Sequence, residues 1–189
     1  RDTEFGRIGS YSDDKAGAIV ELLCESAPVA NGPDVRQFAE DCAKALALAK
    51  TEITDGETLL KEKSPSKPQT LGEQKDDMFN RLREVFKIGR LVKYTGTTVG
   101  YVHATGDLGS LVAFEGGDVA TAKDIAMHIV ASSPLAVNKE DLPAAEVVAA
   151  ADHVGQQPGL LLVGIGTNLA CQSGIVPDQA KMDELSALA

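Results

Sequence analysis

The sequence predicts an α+β fold, two similar subdomains of antiparallel strands packed on helices, and three observations lead there. Extended-looking segments come in pairs joined by short polar turns, and short connections imply antiparallel neighbours. Each hairpin is followed by a helix whose apolar residues recur at three- and four-residue steps. The order also repeats: Gly6-Arg-Ile-Gly-Ser-Tyr, a turn, Gly17-Ala-Ile-Val-Glu-Leu and Asp34-Val35 opening a helix are echoed by Gly100-Tyr-Val-His-Ala, a turn, Gly109-Ser-Leu-Val-Ala-Phe and Asp118-Val119 opening a helix. Each half alone is too small to be stable, so a shared core is expected.

The first strands span Gly6 to Tyr11 and Ala18 to Cys24, with Ser12-Asp13-Asp14-Lys15 as the turn. In the second strand Ala18, Val20, Leu22 and Cys24 share a core face; Ile19, Glu21, Leu23 and Glu25 share a half-apolar one. Asn31-Gly32-Pro33-Asp34 opens a helix with proline in its first turn, where a missing N–H costs nothing. Val35, Phe38, Cys42, Leu46 and Ala49 form its stripe, and Glu40 and Lys44 are placed to pair on its wet face. After the polar connection Lys63 to Pro68, Thr70-Leu71-Gly72-Glu73 is a capping box opening a second long helix with the stripe Leu71, Met78, Leu82, Val85 and Phe86. Three strands follow, Ile88 to Tyr94, Thr98 to His103 and Leu108 to Phe114, expected to be antiparallel neighbours across their short turns. A third helix opens at Gly117-Asp118 and buries Val119, Ala122, Ile125, Ala126 and Ile129, with His128 partly buried at the stripe's edge, ending before Pro134. The expected organisation is an N-terminal core subdomain over 5–87, a C-terminal core subdomain over 88–148, and a divergent, poorly ordered tail over 149–189. That tail carries five charged residues in 41.

Composition narrows function. The chain has 189 residues, a net charge of −10, five Phe, three Tyr and no Trp. An acidic surface repels phosphate backbones, and few aromatics leave little for base stacking, so direct nucleic-acid binding is not expected. The apolar runs near Ala16 to Cys24 and Gly159 to Ile165 fall well short of the about 20 residues a membrane helix needs. Three cysteines, Cys24, Cys42 and Cys171, without a CxxC pair read as free thiols of a reducing compartment.

No catalytic constellation stands out. The cysteines and His103, His128 and His153 lack metal-ligand spacing, so no metal is expected. Glu21 and Glu25 read as a strand's solvated face. Gly164-Ile165-Gly166 is a weak match to a dinucleotide loop, lacking the following helix, second strand and acidic residue. The absence of catalytic motifs favours a protein that acts by binding.

A specific signature lies in Asp124-Ile-Ala-Met-His-Ile-Val-Ala-Ser-Ser-Pro134. It resembles the helix of the bacterial elongation factor Ts family that reads His-Ile-Ala-Met-His-Val-Ala-Ala-Ser-x-Pro, and is followed by Glu140-Asp141 and Ala145-Glu146-Val147-Val148. Upstream, Gly100-Tyr101-Val102-His103 and Leu108-Gly109-Ser110-Leu111-Val112 resemble the family's Gly-Ser-Tyr-x-His and Ile-Gly-Val-Leu-Val. Ala18-Ile-Val-Glu-Leu-Leu-Cys-Glu and Val29-Ala30 track Ile-x-x-Glu-Val-Asn-Cys-x-Thr-Asp-Phe-Val-Ala. The resemblance covers residues 5 to 148.

It implies a core of two related α+β subdomains and a cytoplasmic guanine nucleotide exchange factor. The implied partner is elongation factor Tu, in its GDP-bound and nucleotide-free forms, with no covalent chemistry, cofactor, direct nucleic-acid contact or membrane. The family's Thr-Asp-Phe-Val loop, whose aromatic wedges into the GTPase near its magnesium site, falls on Ser26, Ala27, Pro28 and Val29. Its Ile-Gly contact falls on Leu82 and Arg83, and its contact histidine on His103. Here Ala27 and Pro28 replace the charge and the aromatic, and Arg83 replaces the glycine. Two other readings stay open: an α+β binding module that has lost exchange, and a small nucleotide-binding enzyme resting on Gly164-Ile165-Gly166. Relatives begin with a small helical module ahead of the position of Arg1 and continue differently after Val148, so a partial chain with an out-of-register end is expected.

Overall fold

Alternation in β2 (Ala16–Cys24) organises the first layer. Ala18, Val20, Leu22 and Cys24 are fully buried, as the period of two requires. The structure, a computed structural model, describes residues 2–134. The expected tail over 149–189, the Gly164-Ile165-Gly166 segment, His153 and Cys171 lie outside the described residues.

β1 (Phe5–Ser12) pairs antiparallel with β2 from Phe5 opposite Cys24 to Ser12 opposite Gly17. Asp13 makes the turn: its Oδ1 accepts from the backbone N–H of Lys15 and of Ala16, both at 2.8 Å. α2 (Pro33–Leu48) covers this hairpin and buries Val35, Phe38, Cys42 and Leu46. Gly9 permits the approach, since a Cβ there would stand 1.9 Å from the Ala39 carbonyl oxygen. Lys44 does not pair with Glu40 as expected; its ammonium lies 5.7 Å from the centroid of the Tyr11 ring.

Two short helices escape the sequence reading. α1 (Ala27–Ala30) is a single turn directly after β2. α3 (Gly56–Leu59) is capped by Asp55, which accepts from the Thr58 N–H, and it buries Leu59. α4 (Leu71–Leu82) opens with the expected capping box, Thr70 accepting from the Glu73 N–H while Glu73 accepts from the Thr70 N–H. It stops earlier than its apolar stripe suggests: Arg83 takes a left-handed backbone with φ 59°, and Val85 and Phe86 lie beyond the helix. Phe86 is nevertheless buried, joining Leu59, Leu71 and Met78 in the core under the first sheet.

The strand order corrects one expectation. β3 (Lys87–Thr95) pairs with β2, giving the order β1-β2-β3, while β4 (Thr98–Val102) and β5 (Gly109–Ala113) form a separate two-stranded sheet. Short chain distance does not make β3 and β4 neighbours, because β2 has a second open edge. Pairing there sets Ile88 and Leu91 against the larger core. The Thr95-Gly96 turn, with Gly96 at φ +92°, instead delivers the chain across the first hairpin. The Gly96 N–H donates to the Lys15 carbonyl at 2.7 Å, and the Thr98 N–H to the Asp13 carbonyl at 3.0 Å. At the far end the Ile8 N–H donates to the Gly106 carbonyl at 2.7 Å.

α5 (Val119–Ser132) begins at Asp118, whose side chain accepts from the Thr121 N–H, and packs on β4 and β5. Hairpin followed by covering helix thus occurs twice, as the repeat predicts. The second core is small: Val99, Ala122 and Ala126, flanked by Tyr101, Val112 and Phe114. The five-residue stripe expected on α5 is only partly buried, because Val119 and Ile125 are 58% and 49% exposed. His128 is exposed too, its Nε2 lying 3.3 Å from Ser132 Oγ.

Candidate functional site

Ser26, Ala27, Pro28 and Val29 form the N-cap and first three residues of α1. Pro28 is exposed, Ala27 and Val29 are half-buried, and Val29 packs on the main core. A loop of this kind has few internal bonds, so its rigidity comes from outside. Glu84 supplies it: Oε2 accepts from the N–H groups of Glu25 at 3.2 Å and Ser26 at 3.1 Å, while Oε1 accepts the Ser26 hydroxyl at 2.5 Å. Glu25 returns the contact, accepting the Val85 N–H at 2.9 Å. These charge-assisted bonds tie the Ser26–Val29 tip to the segment after α4. Two separately expected stretches, Ser26–Val29 and Leu82-Arg83, are therefore neighbours, with Leu82 half-buried against the core and Arg83 exposed.

A second relay reaches the third stretch. Asn31 donates from Nδ2 to the Ala27 carbonyl at 3.1 Å and accepts at Oδ1 from Arg7 Nη1 at 3.3 Å. The Arg7 guanidinium lies against Gly106, where a Cβ would stand 2.6 Å from Nη1. The Gly106 N–H donates to the His103 carbonyl at 2.9 Å. His103 itself is exposed at the end of β4, its Nδ1 3.2 Å from the Tyr101 hydroxyl. A chain of contacts through Asn31 and Arg7 thus links the Ser26–Val29 tip to the turn that follows His103.

Glu84, Asn31 and Arg7 were not singled out from the sequence. A carboxylate just past a helix reads as solvated, so Glu84 left no signal. Arg7 did leave one: it shares a parity with Gly9 on β1 and therefore falls on the inward face. Glu21, read as solvated, accepts three N–H groups of Arg90, from the backbone N, Nε and Nη2, at 3.0 to 3.2 Å. Those bonds hold its carboxyl below the usual range despite partial burial. Burial pushes the Cys42 thiol far up, so it serves as core and not as a nucleophile. Among the described residues no group of three or more His, Cys, Asp or Glu is placed to hold a metal. Nor is any described helix long and apolar enough to cross a membrane.

Against known proteins, residues 25–159 match the model of the family described as Elongation factor TS. This chain belongs to the elongation factor Ts family. The matched segment runs past Val148, where the sequence resemblance ended. Elongation factor Ts of Methylococcus capsulatus is 41% identical over 140 residues, 72% of this chain and 46% of that protein. That of Hydrogenovibrio crunogenus is 38% identical over 137 residues, 71% of this chain and 45% of that protein. The factor from Polynucleobacter necessarius is 33% identical over 159 residues, 83% of this chain and 52% of that protein. The chain therefore spans about half the length of the curated relatives it matches. Its antiparallel sheets covered by helices are those of an α+β elongation factor Ts core.

Proposed function

We propose that this chain is a guanine nucleotide exchange factor: it binds elongation factor Tu in the GDP-bound and nucleotide-free forms and promotes GDP release, in the cytoplasm and without covalent chemistry. Family membership supplies the partner class. The observation that carries the reading is the clamped tip: Glu84 and Glu25 hold Ser26–Val29 beside Leu82-Arg83, and the Asn31–Arg7 relay reaches the β4–β5 turn beside His103.

Exchange by such a surface is a matter of linkage. A partner that binds the nucleotide-free GTPase more tightly than the GDP form weakens GDP binding by the same free energy. The wedge must then be stiff, because a tip that orders only on binding spends interaction energy on its own entropy. Pro28 and the Glu84 clamp provide that stiffness although the family's acidic and aromatic tip residues are Ala27 and Pro28 here. The two subdomains are proposed at 5–87 and 88–148 along the chain, with β3, although it falls almost wholly in the second span, contributing the third strand to the sheet of the first.

The test is release of a fluorescent GDP from elongation factor Tu. The rate is expected to rise saturably with added chain, and Glu84→Ala, which unclamps the tip, is expected to lower the maximal rate more than it lowers affinity. Binding without acceleration would make the chain a binding module that has lost exchange; the absence of both binding and acceleration would refute the reading.

A further inference from the structure

Arg7 sits where β1 should present an apolar residue. It is 7% exposed, lies on the same strand face as Gly9, and lines a cavity at the surface. Among the described residues its side chain makes one long hydrogen bond, to Asn31 Oδ1 at 3.3 Å, and no ion pair. Nη1 has this one neutral acceptor, and among the described residues none of the guanidinium nitrogens is both buried and without a partner.

Its surroundings do not neutralise it. Arg7, Arg36 and His103 line one cavity of about 260 Å³, together with Glu40 and with polar and apolar residues of β1 and β4. Desolvation, and after it the neighbouring charge of Arg36, hold the Arg7 guanidinium below its ordinary pKa, and Glu40 offsets this only in part. Two guanidiniums, one carboxylate and an imidazole leave this cavity positive on a chain whose net charge is −10. A cleft with an excess of positive charge favours an anion there.

The size of the cavity narrows the anion. Cofactor and small-molecule pockets run about 300–1,000 Å³, and about 260 Å³ has room for one acidic side chain. Guanidinium forks match carboxylates bidentately. Hydrogen bonds from Arg7 to Asn31 and from Asn31 to the Ala27 carbonyl link the cavity to the tip. We infer that the cavity between Arg7, Arg36 and His103 receives an acidic side chain of a protein partner. The inference rests on the reading above that this face docks a protein.

Two measurements on the full chain separate the inference from that reading. First, N-acetylglutamate is titrated while the His103 imidazole resonance is followed by NMR. A saturable shift is expected, abolished in Arg7→Met and weakened at least roughly tenfold in Arg36→Gln. Arg36 is exposed, so its variant stays informative if Arg7→Met does not fold. No saturable shift, an unchanged one in Arg36→Gln, or tighter binding of inorganic phosphate would overturn the carboxylate site. Second, affinity for elongation factor Tu is measured against salt. Arg36→Gln is expected to weaken the complex and flatten its salt dependence, while Arg90→Gln, whose arginine pairs with Glu21, leaves both unchanged. An unaltered complex in Arg36→Gln overturns the inference and leaves the exchange reading standing. Carboxylate binding with no complex at all sinks the exchange reading and supports the chemistry of the cavity.

Discussion

Arg83 occupies a left-handed backbone, φ 59°, at the C-cap of α4. A Cβ in that region costs about 1 kcal/mol relative to glycine, which is why helices so often end on one. Arg83→Gly is therefore expected to stabilise the chain by about 1 kcal/mol, read as a higher urea midpoint with an unchanged slope. A lower midpoint would mean that the contacts of the Arg83 side chain outweigh its backbone strain. The sequence singles out the position through its resemblance to the family's Ile-Gly pair, but not its left-handed dihedral angle, which letters do not encode. The sequence singles out His103 in the same way, through the Gly-Tyr-Val-His stretch, and its exposure at the end of β4 is what the structure adds. Glu84 and Asn31 were not legible there, because each acts through backbone groups of Glu25, Ser26 and Ala27, and a backbone N–H or carbonyl puts no constraint on residue type.

At the scale of elements, alternation and capping chemistry carried most of the fold. β2 buries the four residues its period assigns, and α4 starts at the capping box of Thr70 and Glu73. What failed was neighbourhood. Chain distance paired β3 with β4, whereas the open edge of β2 and the burial of Ile88 and Leu91 place β3 in the first sheet. Periodicity likewise overstated α5, since an apolar stripe reports which face could be buried and not how much sheet exists to cover it. The contact between β1 and α2 offers a test of scale against propensity. In an isolated strand Gly9→Ala would gain about 0.5–1 kcal/mol from reduced chain entropy. Here the new Cβ would meet the Ala39 carbonyl oxygen at 1.9 Å, backbone against backbone, and no rotamer can relieve it. The strand and helix must separate, so the expected result is destabilisation by at least about 2 kcal/mol in urea unfolding. A neutral or stabilised Gly9→Ala would show that α2 slides on the sheet at little cost.

For the whole molecule, stability against pH sets local anchoring against the collective charge. Asp13, Asp55 and Asp118 each accept backbone N–H groups at a turn or helix start, and those bonds hold their carboxyls below the ordinary range. Glu21 is held down by its hydrogen bonds from Arg90. A carboxyl with a folded pKa below its unfolded one contributes fully above the unfolded value, about 4, and loses that contribution as pH falls through the folded value. The net charge of −10 works the other way, since acidification from neutrality relieves self-repulsion before those groups protonate. The melting temperature is therefore expected to rise modestly from pH 7 to about 5 and to fall steeply below about 4. Salt near 0.5 M should flatten the first limb, where charges act over solvent, and spare more of the second, where they act through hydrogen bonds. The Asp13→Asn, Asp55→Asn and Asp118→Asn triple variant keeps an acceptor oxygen at each position but removes the titration. Its stability at pH 7 should stay near that of the original chain while its acid limb becomes shallower. An acid limb of unchanged steepness would place the acid sensitivity elsewhere, with Glu21 and Arg90 the next pair to alter.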